Sequence, residues 1–194
     1  MRKLKLQMQT TLDGFVAGPN GENDWVFIPG QQNPEALQQV IAFGVELAAS
    51  CDTILLGRKL GDSGFVGYWE NVATQPENPW QTFGQLMADH RKIAFSRTAT
   101  SVADPNIEVE NGDLETTVKA LKNQPGKDII VYGGVDFVSS LVSLNLIDEY
   151  HLIVNPIAIG AGLSIFKERK VLELQSSVAF KSGKIVNKYI PVGS

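Results

Sequence analysis

The sequence predicts an α/β fold, a mostly parallel sheet with helices on both faces, closed by a C-terminal antiparallel hairpin. Three observations carry this. Asp52–Gly57 and Asp128–Tyr132 are short, continuous, largely apolar runs, the pattern of strands covered on both faces. Helical periods separate such runs, and strand–helix–strand alternation implies right-handed crossovers between parallel strands. The tail then offers two strand patterns, Val171–Phe180 and Lys184–Ile190, turned at Ser182-Gly183.

In chain order, Leu4, Leu6 and Met8 alternate with Lys5, Gln7 and Gln9, which reads as a half-buried first strand. A Gly-, Pro- and Asn-rich loop follows from Asp13 to Asn33. Asn33-Pro34-Glu35 is a helix start: a capping side chain, a proline in the first turn and an acid at the positive end of the dipole. Leu37, Val40, Ile41, Gly44, Val45 and Ala48 then recur at helical spacing, and Asp52–Gly57 is the second strand. Gly61–Pro79 reads as loop because of its glycines and prolines. Asn78-Pro79 can start a short helix carrying Trp80, Phe83 and Met87. Strands are expected at Lys92–Phe95 and Ile107–Glu110. Asp113 caps a helix with Leu114, Val118 and Leu121 on one side. Asp128–Tyr132 runs into Gly133-Gly134 and a helix with Val138, Leu141 and Val142 inward. Glu149–Val154 is a further strand before the hairpin.

A chain of 194 residues is the size of one domain, taken here as 1–194. With 43% hydrophobic and 20% charged residues it is not a disordered or fibrous composition. A net charge of −4 and a pI near 5.2 argue against nonspecific binding to nucleic acid or anionic membranes. Cys51 is the single cysteine, and His90 and His151 are the only histidines, so neither a disulfide nor a metal centre is expected. Neither a signal peptide nor an apolar run of the ~20 residues needed to span a bilayer is apparent, so a cytoplasmic protein is expected.

In a parallel sheet, ligands bind at the carboxyl ends of the strands. Three such ends stand out. Leu56-Gly57-Arg58-Lys59 ends a strand in a glycine and two cations. Phe95-Ser96-Arg97-Thr98 ends one in two hydroxyls around a guanidinium. Val131-Tyr132-Gly133-Gly134-Val135 is a strand, a glycine pair and a helix start. Glycines admit a phosphate to backbone N–H groups at a helix N-terminus. Guanidinium and hydroxyl groups suit a terminal phosphate, such as the one that distinguishes NADP from NAD. Gly-x-Gly-x-x-Gly and Walker A are both absent.

Five ordered segments, covering nearly the whole chain, resemble a known family. They are Thr11–Gly18, Asp52–Lys59, Lys92–Thr98, Tyr132-Gly133-Gly134 with Leu146–Glu149, and Pro156–Phe166. Together they are similar to the dihydrofolate-reductase-like superfamily, in particular the C-terminal reductase domain of bifunctional riboflavin-biosynthesis deaminase-reductases. The resemblance implies a three-layer dihydrofolate-reductase-like fold, NADPH as cofactor, a small-molecule substrate and a homodimer. It places Ala17 and Gly18 by the nicotinamide, and Gly57, Arg58 and Lys59 by the adenosine-side phosphates. Ser96, Arg97 and Thr98 are expected on the 2′-phosphate. The segment Tyr132, Gly133, Gly134, Val135 and Asp136 is expected around the pyrophosphate. The deaminase signature, His-x-Glu with Pro-Cys-x-x-Cys, is missing from the sequence.

The expected chemistry is hydride transfer from NADPH to a small pterin- or pyrimidine-like heterocycle, which needs a proton donor beside the acceptor. Asp13 and Asp24 are the candidate donors; Asp13 in an Asx-type turn is the structural alternative. Trp25, Phe65, Tyr68 and Trp69 are candidates to cover a flat ring, or simply anchor their loops. Two other functions fit the same residues: reduction of 5-amino-6-(5-phosphoribosylamino)uracil, and NADP binding without turnover.

Overall fold

The computed structural model describes residues 1–27 and 33–193. Among these residues, eight strands form one sheet: β1 (Leu4–Thr10), β2 (Cys51–Gly57), β3 (Arg91–Phe95), β4 (Glu108–Glu110), β5 (Asp128–Val131), β6 (Glu149–Val154), β7 (Leu172–Ala179) and β8 (Ile185–Pro191). Their spatial order is β4-β3-β2-β5-β1-β6-β8-β7. The first six in that order are parallel; β8 is antiparallel to β6, and β7 to β8.

Among the described residues, six helices flank the sheet: α1 (Pro34–Ala49), α2 (Arg58–Gly61), α3 (Phe65–Ala73), α4 (Gln81–Asp89), α5 (Leu114–Asn123) and α6 (Val135–Ser143). Two helix starts follow directly from the sequence: Asn33 Oδ1 accepts from the N–H of Ala36 at 2.7 Å, and Asp113 Oδ1 from that of Thr116 at 2.9 Å. Leu4, Leu6, Met8, Leu55, Ile129 and Val131 pack on one face with Val118 and Leu121 of α5 and Val138, Leu141 and Val142 of α6. Ile54, Leu56, Ala94 and Ile130 pack on the other with Leu47, Val66, Phe83 and Met87, from α1, α3 and α4. This is the three-layer arrangement the sequence predicts.

Two expectations are corrected. The polar face of β1 is partly covered: Lys5 is buried, with its Nζ 2.9 Å from Asp128 Oδ2 and 2.9 Å from Ser50 Oγ, while Gln7 and Gln9 are half-buried. The polar face of this strand is turned toward α1, whose C-cap residue Ser50 receives the Lys5 ammonium. Gly61–Pro79 is also not a loop throughout, since it holds α2's end and the nine-residue α3. Gly64 takes φ +77° just before α3, a conformation that starts the helix, while Val66, Trp69 and Val72 keep helical spacing toward the core. The expected loop Asp13–Asn33 holds a 3₁₀ turn, Asp24–Phe27; its segment 28–32 lies outside the described residues. Among the described residues, no helix is long and apolar enough to cross a membrane, and no group of His, Cys, Asp and Glu could hold a metal ion.

Candidate active site at the carboxyl edge of the sheet

Ion pairs occupy the amino-terminal edge: Arg2 with Asp52, Lys3 with Glu149, Lys5 with Asp128 and Lys122 with Asp148. The opposite edge carries the glycine-rich ends. Gly57 is in register with Phe95, so β2 and β3 stop level and hand over to Arg58 and Ser96. A Cβ on Gly134 would lie 3.8 Å from Gly57 Cα, so the turn after β5 stands against the end of β2. Three strand ends thus adjoin. Gly134 has φ +83° and precedes α6, whose first-turn N–H groups have no partner within the helix.

Arg58, Lys59 and Arg97 are exposed just beyond these ends. Arg58 is paired with Asp62 at 2.7 Å. Ser96 Oγ accepts from the N–H groups of Thr98 and Ala99 at 3.2 and 2.8 Å, and Asn111 Nδ2 donates to the carbonyls of Ser96 and Ala99 at 2.8 Å. The Ser96–Ala99 turn is therefore formed in advance, with its hydroxyl facing inward to its own backbone. Val135 is half-buried and Asp136 exposed at the start of α6. Gly133 is buried. Tyr132 turns away from the glycine pair: its ring lies 6.2 Å from Phe65 and 6.1 Å from Phe83, inside the α1-side core. Burial pushes its phenol pKa well up, so the hydroxyl is neutral.

Ala17 and Gly18 lie past β1. Ala17 bridges Leu163, and Gly162 passes so close to the Ala17 carbonyl that no side chain fits there. Asp13 sits on this junction. Its Oδ1 accepts from Thr11 Oγ1 at 2.6 Å, and its Oδ2 from the N–H groups of Ile159 and Gly160 at 3.0 and 2.7 Å. The Thr11 hydroxyl leads these bonds in holding the carboxyl below the usual range. Asp13 thus joins two loops as an ionised acceptor. Asp24 is exposed at the start of the 3₁₀ turn, and Trp25 beside it is buried. Three of the four aromatic candidates, Phe65, Tyr68 and Trp69, belong to one aromatic network that also holds Tyr132, Trp80 and Phe83, and Trp25 lies outside it. Phe65 meets Tyr132, Trp69 packs against Trp80 and Phe83, and Tyr68 edges Trp69 while remaining 61% exposed.

Several polar residues at this edge escaped the sequence reading. Gln7, Gln9 and Asn155 lie beneath the α1 side, where Asn155 is fully buried and donates to Gln9 Oε1, Thr10 O and Ile153 O. The sequence signal that points to them is the polar alternation of β1. Lys184 is buried as well, and its Nζ donates to the Val26 carbonyl at 2.9 Å, tying the 3₁₀ turn to the hairpin.

The family model for the RibD C-terminal domain matches residues 2–186. This chain belongs to that family. It is 33% identical over 190 residues to the uncharacterized protein YyaP of Bacillus subtilis (strain 168), spanning 95% of this chain and 92% of YyaP. A solved structure from Shewanella sp. PV-4, described as a riboflavin biosynthesis protein, superposes with a TM-score of 0.67 at 18% identity, over 97% of this chain and 98% of that one. Another is the diaminohydroxyphosphoribosylaminopyrimidine deaminase/5-amino-6-(5-phosphoribosylamino)uracil reductase of Thermotoga maritima, with a TM-score of 0.65 at 15% identity. It is matched by 98% of this chain, over 56% of its own length. At such identities these structures share the fold. Membership in the RibD C-terminal domain family supports a reductase-like role.

Proposed function

We propose that this RibD C-terminal domain is an NADPH-dependent reductase of a small planar heterocycle of the pyrimidine or pterin type. The observation that carries it is the meeting of Phe95, Gly57 and Gly134 at one edge, with Arg58, Lys59 and Arg97 just beyond. The residues fit the cofactor. Gly134 takes φ +83° without a side chain at the start of a nine-residue helix, where the dipole and free N–H groups suit a diphosphate. The cofactor, when bound, supplies the hydride. Gly133 and Gly134 let it approach the backbone, and Gly57 lets α6 pack close enough to the end of β2 to present them. Arg97 and Lys59 hold the 2′-phosphate, and Arg58 joins them by leaving Asp62. Ala17 and Gly18 face the nicotinamide end, on a loop that Asp13 keeps in place. Because the Asp13 carboxylate is fully engaged, Asp24 is the carboxylate that relays a proton from water to the acceptor.

Family membership favours a second reading of the substrate, a ribosylaminopyrimidine phosphate. A side-by-side NADPH-oxidation screen with pterins, dihydrofolate and 5-amino-6-(5-phosphoribosylamino)uracil tests both. Turnover of the phosphate ester alone selects the second reading. No turnover with intact NADPH binding reduces the protein to a nucleotide-binding module.

A homodimer completes the proposal. β7 is an edge strand, and Leu174, Val178 and the neighbouring Val171 are each more than half exposed. An apolar edge of this kind invites pairing with a second copy.

A further inference from the structure

Asn111 follows β4 directly and has no place among the cofactor contacts proposed above, yet its side chain reaches across to the end of β3. Phe95 pairs with Glu110, and the Ser96 N–H donates to the Glu110 carbonyl at 3.0 Å, so Asn111 stands beside Ser96. Its Nδ2 donates to the carbonyls of Ser96 and Ala99, 15 and 12 positions back, both at 2.8 Å. Two carbonyls face this nitrogen, which fixes the orientation of the amide. One side chain therefore closes the turn Ser96–Ala99 across both of its ends. Ser96 Oγ takes the N–H groups of Thr98 and Ala99 on the inside, so the turn presents Arg97 and Thr98 outward, both exposed. Asn111 is itself held from two sides: β4 ends at Glu110, and Asp113 caps α5 two residues on. The chain after the turn has an anchor of its own, the Ala103 N–H on Asp62 Oδ1 at 3.1 Å. Removing the Asn111 amide thus releases the turn and leaves its surroundings in place.

We propose that Asn111 is a positioning residue for cofactor choice: by fixing the Ser96–Ala99 turn it holds Arg97 where a 2′-phosphate arrives, and so sets the preference for NADPH over NADH. The inference rests on the assignment of this turn to the 2′-phosphate, and adds a residue that touches neither cofactor nor substrate. A guanidinium on a long side chain contributes most when its backbone is already ordered, because ordering a loop on binding subtracts from affinity. NADH lacks the group assigned to this turn, and its diphosphate and nicotinamide ends are assigned to Gly133-Gly134 and Ala17-Gly18. A loosened turn therefore weakens NADPH and spares NADH, the signature that separates positioning from general support of the fold. Asn111→Asp goes further than Asn111→Ala. Its carboxylate faces the two carbonyls with no proton to give, and it adds a negative charge at a turn meant for a phosphate.

The test is fluorescence titration of the whole chain with NADPH and with NADH, in the wild type, Asn111→Ala, Asn111→Asp, Arg97→Ala and the double variant Arg97→Ala/Asn111→Ala, with Tm measured for each. We expect the wild type to prefer NADPH. Asn111→Ala should weaken NADPH by about three- to tenfold and Asn111→Asp by more than about tenfold, with NADH within about twofold of wild type. Because Asn111 is exposed, Tm should stay within about 3 °C of wild type. In the Arg97→Ala background, Asn111→Ala should weaken NADPH no further, since the residue acts through Arg97. Additive losses in the double variant overturn the proposal. So does a parallel loss of both cofactors in the Asn111 variants, at any Tm, which would make Asn111 a brace of the fold. A wild-type preference for NADPH that persists in both Asn111 variants overturns the inference and leaves the cofactor reading standing. Equal affinity of the wild type for the two cofactors overturns the 2′-phosphate assignment itself, and the role of Asn111 with it.

Discussion

A Cβ placed on Gly57 would stand 2.8 Å from the Cβ of Phe137, so the end of β2 and the first turn of α6 touch where only a bare Cα fits. Gly57→Ala must push α6 outward. Overpacking of this kind costs about 1–3 kcal/mol, or a Tm loss of roughly 2–12 °C in a chain of this size. Because α6 carries the proposed diphosphate site, NADPH affinity should fall with it. Gly134→Ala meets no close atom but forces a side chain onto φ +83°, at about 1–3 kcal/mol. Thermal melts and NADPH titrations of the two variants check this; wild-type affinity in both would remove the glycine pair from the cofactor site.

Arg97 is exposed and makes no ion pair among the described residues, whereas Arg58 is held by Asp62. Arg97→Ala should therefore weaken NADPH by tenfold or more, matching the ~1.5–3 kcal/mol of a charge-assisted contact, and leave NADH unchanged. Equal affinity of the wild type for the two cofactors would sink the assignment.

Asp13→Asn separates a loop clamp from a proton donor. The amide keeps one acceptor oxygen, so the loop loosens and the nicotinamide end binds less well. We expect a higher KM for NADPH with kcat within about fivefold of wild type. A proton donor would instead lose the 10²–10⁴-fold typical of general acid catalysis. Steady-state kinetics on whichever acceptor the screen identifies decides between them.

Acid should unfold the protein in two windows. Burial alone would raise the Glu149 carboxyl, but hydrogen bonds and charge from Lys3 and Lys188 outweigh it and hold the pKa at about 2. The folded state thus prefers the carboxylate. Its contribution is complete above the unfolded pKa of 4.5 and is lost as pH falls toward 2, on the order of 2–3 kcal/mol. His151 is lowered chiefly by burial, so protonation is easier in the unfolded chain, and stability begins to fall below about pH 6.5. Urea melts from pH 7 to 3 should show both declines, and Glu149→Gln should flatten the lower one while reducing stability at pH 7.

The dimer is checked by light scattering, where twice the 21.1 kDa chain mass, about 42 kDa, is expected. Leu174→Asp with Val178→Asp should give the monomer. A wild-type monomer at micromolar concentration would refute edge pairing.

Strands covered on both faces announced themselves in Ile54–Leu56 and Ile129–Val131, and both side-chain helix caps could be named from Asn33 and Asp113. The glycine-rich strand ends were equally legible, because a close approach demands a residue type. What sequence could not reveal was which element covers a polar strand face. Lys5, Gln7 and Gln9 alternate as on a solvent-facing strand, yet β1 lies mid-sheet, with Lys5 buried against Ser50 at the end of α1 and the two glutamines half-buried. The same blindness hid Asn155, whose partners Gln9 and Thr10 are 146 and 145 positions away. α3 was concealed by its glycines, since Gly64 and Gly67 read as breakers although one starts the helix and the other is exposed.

The position of β1 also orders events during synthesis. The first strand made is held by β5 and β6, the nearer of which begins at Asp128. At roughly 5–20 residues per second, Leu4–Thr10 waits on the order of ten seconds on the ribosome before either neighbour exists. During that interval its apolar row, Leu4, Leu6 and Met8, has no sheet to join. The lysines and glutamines between them keep the nascent segment wet and discourage premature pairing. A polar stripe that ends inside the folded molecule thereby serves the chain first while it is still emerging.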